Sequence, residues 1–321
     1  MRRFLPAGSS LKELLVNPFD PMSSKLEILK TVALTSAGSR LGFNLTGGTK
    51  LMFAGAIAAC RKIGGVPFYF ETRDHSLIFL HDFSTMPMRG IHDVEQFFAL
   101  KGFQISRPGK WEENLSRQQR IQLTRRLWIE RAAVATLYKQ LSNCIPQDGM
   151  PFPAFSLSTR HARARLEESG RAIFSVGDAE FKLQSCPDFA RYLCGGWLEE
   201  YVYLLLEPQL KTGVIKDLRI GLEVAWAPQD LGSAQTLAQE FDVCFTDGNR
   251  LTILECKAGG VIVNDVYKLG NNVANYGGID AKGVLVTAFM PSESIRKRID
   301  ASANLQWLAG AAVAEDLPHS I

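Results

Sequence analysis

Two neighbouring apolar segments near the C-terminus each carry one carboxylate, and this pairing constrains the fold more than any other feature of the chain. The segments are 239–246 and 250–257, and Asp-Gly-Asn at 247–249 joins them. That combination is typical of tight hairpin turns between two strands. If the last two of these turn residues form a two-residue loop, Asp242 lies directly across from Glu255.

A cation between two facing carboxylates in apolar strands would remove a conflict, because like charges that face each other in a sheet repel and the apolar neighbours exclude water. Side chains alternate along a strand, so Lys257 projects to the same side as Glu255. Hard divalent cations prefer oxygen ligands, which predicts Mg²⁺ or Mn²⁺ held by Asp242, Glu255 and the backbone carbonyl of Cys256. Lys257 can then orient or deprotonate a metal-bound water, and the pattern predicts metal-dependent phosphodiester hydrolysis.

The alternative is that Glu255 and Lys257 form only the polar side of an ordinary strand, since Glu-x-Lys is common by chance. The apolar residues around them favour a central strand. The matching acid at Asp242 also favours a site.

An acid on one strand and an acid-x-lysine on the next resemble the core of the PD-(D/E)xK nuclease superfamily, in which a preceding helix often supplies another acid. The candidate helix is 195–206, which has an apolar stripe at helical spacing. Glu199 and Glu200 border this stripe. The resemblance favours Glu199, whereas a helical wheel places Glu200 nearer the packed face, and a solvated helix acid is an equal alternative for either.

A second motif lies near the N-terminus, where an apolar run leads into a glycine-containing turn and an Ala-rich stretch follows. The turn consists of Thr46, Gly47, Gly48, Thr49 and Lys50. Backbone N–H groups at a helix N-terminus form an anion site, to which the two hydroxyls and the ammonium would add donors and charge. The alternative is a tight Rossmann-like turn that uses glycine only for steric reasons. The spacing is not that of a Walker A loop.

Together, the two motifs resemble the CRISPR ancillary nucleases, in which a CARF sensor domain binds cyclic oligoadenylate and activates a fused nuclease. The resemblance covers about 41–59 and 194–290. It implies that Asp242, Glu255 and Lys257 are catalytic with help from Glu199, and that 46–50 binds cyclic oligoadenylate, specifically cyclic tetra-adenylate. It also implies a homodimer that acts on DNA and/or RNA in type III CRISPR antiviral defence.

The sequence therefore predicts an α/β protein with three parts. Residues 1–92 would form a partial, Rossmann-like CARF region, shortened because only 1–39 precede the glycine turn. Residues 93–185 would form a helical or winged-helix-like connector, including a helix over 160–168, and 186–321 a mixed-sheet PD-(D/E)xK domain. Two other functions stay open: a constitutive restriction or repair endonuclease, and a non-catalytic nucleotide-sensing scaffold.

Composition and residue spacing narrow the classes of protein and of metal site that this chain can form. No apolar stretch reaches the roughly 18 to 20 residues of a membrane span, so we expect a cytoplasmic protein with no membrane partner. The five histidines and six cysteines lack metal-ligand spacing, which disfavours zinc. Basic residues concentrate at 107–131 and 160–165, either as the outer faces of helices or as a phosphate-binding surface. Lys268, on a predicted helix, is a candidate second phosphate contact or a solvated lysine.

Overall fold

The chain divides into two compact units, residues 1–90 and 91–321. The computed structural model describes residues 13–34, 40–71, 76–88, 90–109, 115–146, 152–226, 237–278 and 280–319. Among the described residues, none of the helices combines the length and the apolar character of a membrane span.

The N-terminal unit contains two helices and a four-stranded sheet. Its elements are α1 (Pro21–Ala33), β1 (Gly42–Asn44), α2 (Lys50–Ile63), β2 (Val66–Glu71), β3 (Ser76–Phe79) and β4 (Thr85–Pro87). The strand order is β1-β2-β3-β4, with β1 parallel to β2 and the other pairs antiparallel. Helix α2 connects the two parallel strands, so this part is a βαβ unit, as the Rossmann-like prediction requires.

Local sequence explains where α2 begins, where it ends and how closely it packs. The Thr49 side chain accepts a hydrogen bond from the Met52 N–H at 3.1 Å, which caps the first turn. Gly64 ends the helix in the left-handed conformation, with φ of 74°. A Cβ atom at Gly55 would lie 2.2 Å from the Pro21 carbonyl oxygen, so glycine allows α1 and α2 to pack in direct backbone contact.

The C-terminal unit contains helices, a six-stranded sheet and a separate four-stranded sheet. Its elements are α3 (Val94–Leu100), β5 (Phe103–Arg107), α4 (Leu115–Ile129), α5 (Arg131–Ser142), β6 (Phe155–Ser158), β7 (Ala162–Leu166), β8 (Ala172–Val176), β9 (Ala179–Leu183), α6 (Phe189–Arg191), α7 (Trp197–Thr212), β10 (Asp217–Trp226), β11 (Leu237–Thr246), β12 (Leu251–Lys257), α8 (Val263–Asn272), β13 (Lys282–Thr287), α9 (Glu293–Asp300), β14 (Leu305–Ala309) and α10 (Ala311–Asp316). One π-helical turn, Tyr192–Gly196, precedes α7, and a second, Val273–Gly277, follows α8.

The six-stranded sheet is mixed and holds the predicted site strands near its centre. Its order is β14-β13-β12-β11-β10-β5; β12, β13 and β14 are parallel, and the remaining pairs are antiparallel. Apolar side chains pack into two clusters, one that includes residues of α7 and one that includes residues of α3 and α8. The predicted α/β class with a mixed nuclease-type sheet is confirmed. Strand β5 lies in the segment predicted as a connector, yet it pairs with β10 in this sheet.

The predicted helix over 160–168 is wrong, because the structure has strand β7 there. β7 is one of four antiparallel strands in the order β6-β7-β8-β9. Ala162, Ala164 and Leu166 are buried, whereas Arg163 and Arg165 are exposed. This alternation has the period of two that belongs to a strand with one solvated face.

Candidate active site

The β11–β12 hairpin has the register that places Asp242 opposite Glu255. The paired residues are Val243 with Leu254, Cys244 with Ile253, Phe245 with Thr252 and Thr246 with Leu251. The ladder ends before the two acids, and the turn between Thr246 and Leu251 is two residues longer than predicted. In the turn, the Asp247 side chain accepts from the N–H groups of Asn249 and Arg250, at 2.7 and 2.9 Å.

Asp242 lies at an irregular point in β11. Phe241 and Cys244 belong to one apolar cluster, while Val243 belongs to the other, so the side-chain alternation changes at Asp242. The β10–β11 register also omits Asp242 and its opposite residue, Gly221, whose φ is 58°. The Asp242 carboxylate accepts the Cys256 N–H at 2.7 Å, which holds it beside β12.

Glu255 is buried between two ammonium groups. The Lys257 Nζ lies 2.7 Å and the Lys268 Nζ 3.1 Å from the same oxygen, Oε1 of Glu255. The structure therefore brings Asp242, Glu255 and Lys257 together, as the hairpin argument predicts. Asp265 was not identified from the sequence. Its Oδ1 lies 3.7 Å from Lys257 Nζ and its Oδ2 accepts the Ile262 N–H at 2.9 Å, so it connects the start of α8 to the lysine.

Burial and mutual repulsion dominate the electrostatics of the acids. Burial and then the charge of Glu255 raise the pKa of Asp242 from 3.8 to about 7, against the opposing effect of its bond from the Cys256 N–H. The pKa of Lys257 is raised by the Glu255 and Asp242 charges, which outweigh burial. A divalent cation among these carboxylates would relieve the repulsion that raises the pKa of Asp242.

Glu199 also belongs to this cluster. The helix breaks at Gly195 and α7 resumes at Trp197, which is fully buried, so Glu199 lies in the first turn of α7. Burial and then the charges of Asp242 and Glu240 raise the pKa of Glu199 from 4.5 to about 8. A cleft of about 410 Å³ opens beside it and is also lined by Arg191.

Glu200 occupies a different environment, which separates the two alternatives left open by the sequence. Its carboxylate accepts hydrogen bonds from Arg120 and, at 3.1 Å, from the Thr124 hydroxyl. Arg120 also contacts Asp188 at 3.2 Å and packs over the Tyr192 ring at 4.4 Å. Burial raises the pKa of Glu200 to about 7, and Arg120 opposes this shift. Glu200 therefore joins α7 to α4, and Glu199 is the acid that faces the hairpin.

The donor set fits a hard divalent cation in its chemistry. Asp242, Glu255 and Glu199 provide oxygen ligands, and the raised pKa of Asp242 indicates negative charge that lacks full compensation. Among the described residues, no three acidic, histidine or cysteine side chains converge closely enough to hold an ion as they stand. Lys257 and Lys268 both contact Oε1 of Glu255, so a bound cation would share this carboxylate with the two ammonium groups.

The glycine turn of the N-terminal unit lies between β1 and α2, as predicted. The Thr46 hydroxyl donates to the Asn44 side chain at 2.7 Å and accepts from the Phe70 N–H at 2.7 Å. The Thr49 hydroxyl donates to the Pro18 carbonyl at 2.6 Å. Both hydroxyl protons are thus used internally, which corrects the expectation that they add donors to an anion site.

Gly47, Gly48, Thr49 and Lys50 are exposed at this turn. Gly48 has φ of 90°, which favours glycine, whereas a Cβ atom at Gly47 would contact nothing within 4 Å. The first N–H groups of α2 have no partner within the helix. Backbone donors and Lys50 therefore form the anion-binding capacity of the turn.

Internal contacts account for most of the basic residues between 107 and 131 that the structure describes. Arg117 contacts Glu207 at 2.7 Å, Arg126 contacts Glu130 at 2.9 Å, and Arg131 donates to the Ala288 carbonyl at 3.0 Å. Trp128 stacks on Tyr201 with ring centroids 4.4 Å apart, so it packs in the core. Lys110, in the same basic stretch, lies outside the described residues.

Comparison with known families decides the nature of the domain that carries the cluster. Residues 186–306 match the model of the family described as Card1-like, endonuclease domain. Over these residues the chain is similar to Card1-like endonuclease domains. This domain contains Glu199, Asp242, Glu255 and Lys257, and the predicted endonuclease is confirmed. No curated protein matches the chain significantly.

Solved structures share the fold over nearly the whole chain. Can2 from Sulfobacillus thermosulfidooxidans, in complex with cyclic tetra-adenylate, is 20% identical with a TM-score of 0.68, and the match covers 96% of this chain and 82% of Can2. Protein VC1899 from Vibrio cholerae is 19% identical with a TM-score of 0.71, over 94% and 80% of the two chains. The Card1-like endonuclease domain therefore belongs to a chain with the overall fold of these proteins.

A third structure, described as a type III CRISPR defence DNA nuclease activated by cyclic oligoadenylate, is 20% identical with a TM-score of 0.50. The match covers 92% of this chain and 39% of that nuclease. The predicted resemblance to CRISPR ancillary nucleases is confirmed, through the Card1-like endonuclease domain and the shared fold.

Proposed function

We propose that this protein hydrolyses phosphodiesters of DNA and/or RNA with Mg²⁺ or Mn²⁺, and that cyclic oligoadenylate activates it in type III CRISPR antiviral defence. The observation that carries the proposal is the convergence of Asp242, Glu255 and Lys257 within a Card1-like endonuclease domain. Glu199, whose pKa responds to the Asp242 charge, is the fourth member of the site.

Each residue has a separate part in this chemistry. Asp242, Glu255 and the Cys256 carbonyl would hold the cation, which supplies charge stabilisation and a more acidic water when bound. Lys257, 2.7 Å from Glu255, would orient the attacking water and stabilise negative charge on the phosphate. Glu199 would assist from α7 as an additional carboxylate beside Asp242. The adjacent cleft, lined by Arg191, gives a phosphate strand access to Glu199.

The activator site would be the glycine turn at 46–50. Exposed backbone N–H groups at the start of α2 and the Lys50 ammonium suit the phosphates of cyclic tetra-adenylate. The cyclic tetra-adenylate complex of Can2, whose fold this chain shares, supports that choice of ligand. A homodimer would place two such turns around one cyclic ligand.

The test is a cleavage assay on labelled single-stranded and duplex DNA and RNA, with Mn²⁺ or Mg²⁺, in the presence and absence of cyclic tetra-adenylate. We expect cleavage that needs both metal and ligand and that falls at least a hundredfold in Glu255→Ala and Lys257→Ala. Lys182→Ala, which removes an exposed lysine from β9, is the control and should cleave normally.

Three other outcomes of this cleavage assay would each point to a different conclusion. Equal cleavage with and without the ligand would indicate a constitutive restriction or repair endonuclease. No cleavage by any variant would favour a nucleotide-sensing scaffold. Cleavage that is unchanged in Glu255→Ala would overturn the assignment of the site.

A further inference from the structure

Three apolar side chains are exposed at the start of α8, beside the active site. Ile262 is 64% exposed, Val263 37% and Tyr267 53%. Val263 and Tyr267 are four residues apart on a helix, so they lie on the same face. We call these three residues the α8 rim. Exposed apolar side chains that group in this way mark a binding surface more often than isolated ones do.

Two contacts connect the α8 rim to the reacting groups. Asp265 accepts the Ile262 N–H through one carboxylate oxygen and lies 3.7 Å from Lys257 Nζ through the other. Lys268, the residue after Tyr267, places its ammonium 3.1 Å from Glu255. Asp265 therefore connects the rim to Lys257, and Lys268 connects it to Glu255.

The chemistry of the rim suits a flat aromatic ligand next to a negative charge. The Arg298 guanidinium lies 5.3 Å from the centroid of the Tyr267 ring and donates to its hydroxyl, which fixes the orientation of the ring. Aromatic and aliphatic side chains bind the faces of unpaired bases, and ammonium groups bind the adjoining phosphates. The Lys268 side chain, 40% exposed, can leave Glu255 and reach a phosphate in solvent.

We propose that the α8 rim holds an unpaired nucleobase of the substrate strand beside the scissile phosphate, while Lys268 contacts the adjoining phosphate. This inference rests on the proposed nuclease function and names residues that would hold the substrate strand at the site. A base within a duplex is stacked on both faces and has none free for Tyr267, so the rim selects single-stranded or locally unpaired nucleic acid. The recognition is by ring faces and therefore applies to DNA and RNA.

The experiment measures binding without cleavage. In EDTA, fluorescence anisotropy compares a single-stranded oligonucleotide with an abasic one of equal length, which keeps the phosphates and lacks the bases. Wild-type protein is expected to bind the intact strand about fivefold to tenfold more tightly, the lower part of the range for base–aromatic stacking. Tyr267→Ala should lose that preference and Tyr267→Phe should keep it, because the ring is what stacks.

Matched variants separate the rim from general surface effects. Ile262→Ser should reduce the preference for the intact strand, whereas Ile129→Ser, which changes an isoleucine that is 66% exposed on α4, should not. Lys268→Ala should weaken binding of both oligonucleotides equally and lower the salt dependence of binding, as a lost phosphate contact does.

Cleavage by the wild-type protein, measured in parallel with activator and Mn²⁺, reports the proposed function separately. If cleavage occurs but intact and abasic strands bind equally, or Tyr267→Ala retains the preference, the rim proposal is overturned while the nuclease stands. If the preference is present but cleavage is absent, the nuclease proposal fails and the base-binding rim stands. Duplex DNA binding as tightly as the intact single strand would also overturn the rim proposal.

Discussion

At the scale of single residues, the site is a set of acids that the fold stabilises poorly when no cation is bound. Asp242 and Glu199 both have a raised pKa, and for both the largest cause is burial. Asp242 lies where the side-chain alternation of β11 changes, and Glu199 follows a helix break at Gly195. Features of this kind are typical of functional sites, where stability is lost in exchange for charge placement.

We expect the metal-free protein to lose stability as the pH rises from about 5 to about 8. The ordinary pKa values of Asp242 and Glu199 are 3.8 and 4.5, and the folded values are about 7 and 8. Between these limits the folded state binds more protons than the unfolded chain, so raising the pH favours unfolding. Urea midpoints measured in EDTA at several pH values check this.

The double variant Asp242→Asn with Glu199→Gln should flatten this profile, leaving the smaller slope that Glu200 contributes through its own raised pKa. Saturating Mn²⁺ should stabilise the wild-type protein increasingly with pH, because the ligands must be deprotonated. A wild-type profile that rises from pH 5 to 8 in EDTA would contradict the placement of both acids.

Glu199 and Glu200 are adjacent, and we expect opposite consequences when each is replaced by glutamine. Glu199→Gln should reduce single-turnover cleavage at least tenfold without loss of stability, because burial and the Asp242 charge both oppose ionisation of the carboxyl that it removes. Glu200→Gln should cost about 1 to 3 kcal/mol of unfolding free energy, because it weakens the buried contact with Arg120. Urea titrations and single-turnover kinetics on both variants separate the two effects; equal losses of stability would contradict the assignment.

At the scale of elements, two glycines of the N-terminal unit should respond differently to the same change. Gly55→Ala introduces a methyl group 2.2 Å from the Pro21 carbonyl, so α1 and α2 must separate, at a cost of about 1 to 3 kcal/mol. Gly47→Ala meets no atom within 4 Å and should leave stability nearly unchanged, while its methyl group obstructs an anion at the turn. Thermal unfolding and cyclic tetra-adenylate titration measure both; normal ligand affinity in Gly47→Ala would argue against the turn as the activator site.

Elements with strong local signals could be predicted from the sequence. The hairpin carried a turn motif and two apolar runs, and the register followed, although the loop proved longer because Asp247 folds back onto its own backbone. Strand β7 was mistaken for a helix because alanine and arginine favour helices, and the buried–exposed alternation of the strand outweighed that preference.

Other parts of the site depend on contacts that local patterns cannot show. Glu199 and Glu200 border the same stripe, and only the position of Arg120 on α4, far away in sequence, separates their environments. The sequence offers one signal that Asp265 has a structural role, its place three residues after the helix cap. It offers no signal that Tyr267 lies near the site. Pairing of β5 with β10 is likewise a long-range contact, so no pattern within residues 103–107 indicates it.

At the scale of the whole molecule, the division at Gly90 and Ile91 predicts that the two proposed activities can be separated. Both large apolar clusters lie within 94–317, entirely in the C-terminal unit. We therefore expect a fragment of residues 91–321 to unfold cooperatively on its own and to bind Mn²⁺ with an affinity close to that of the full chain, because every proposed ligand is retained.

The same fragment should not respond to cyclic tetra-adenylate, because the turn at 46–50 is absent from it. In the full chain, ligand at about a hundred times its dissociation constant should add about 2.7 kcal/mol of stability to the unit that binds it, and this should appear as a shift in thermal unfolding. Lys50→Ala should reduce that shift by removing the exposed ammonium at the turn. A ligand-dependent shift in the fragment would place the activator site in the C-terminal unit and overturn its assignment to the glycine turn.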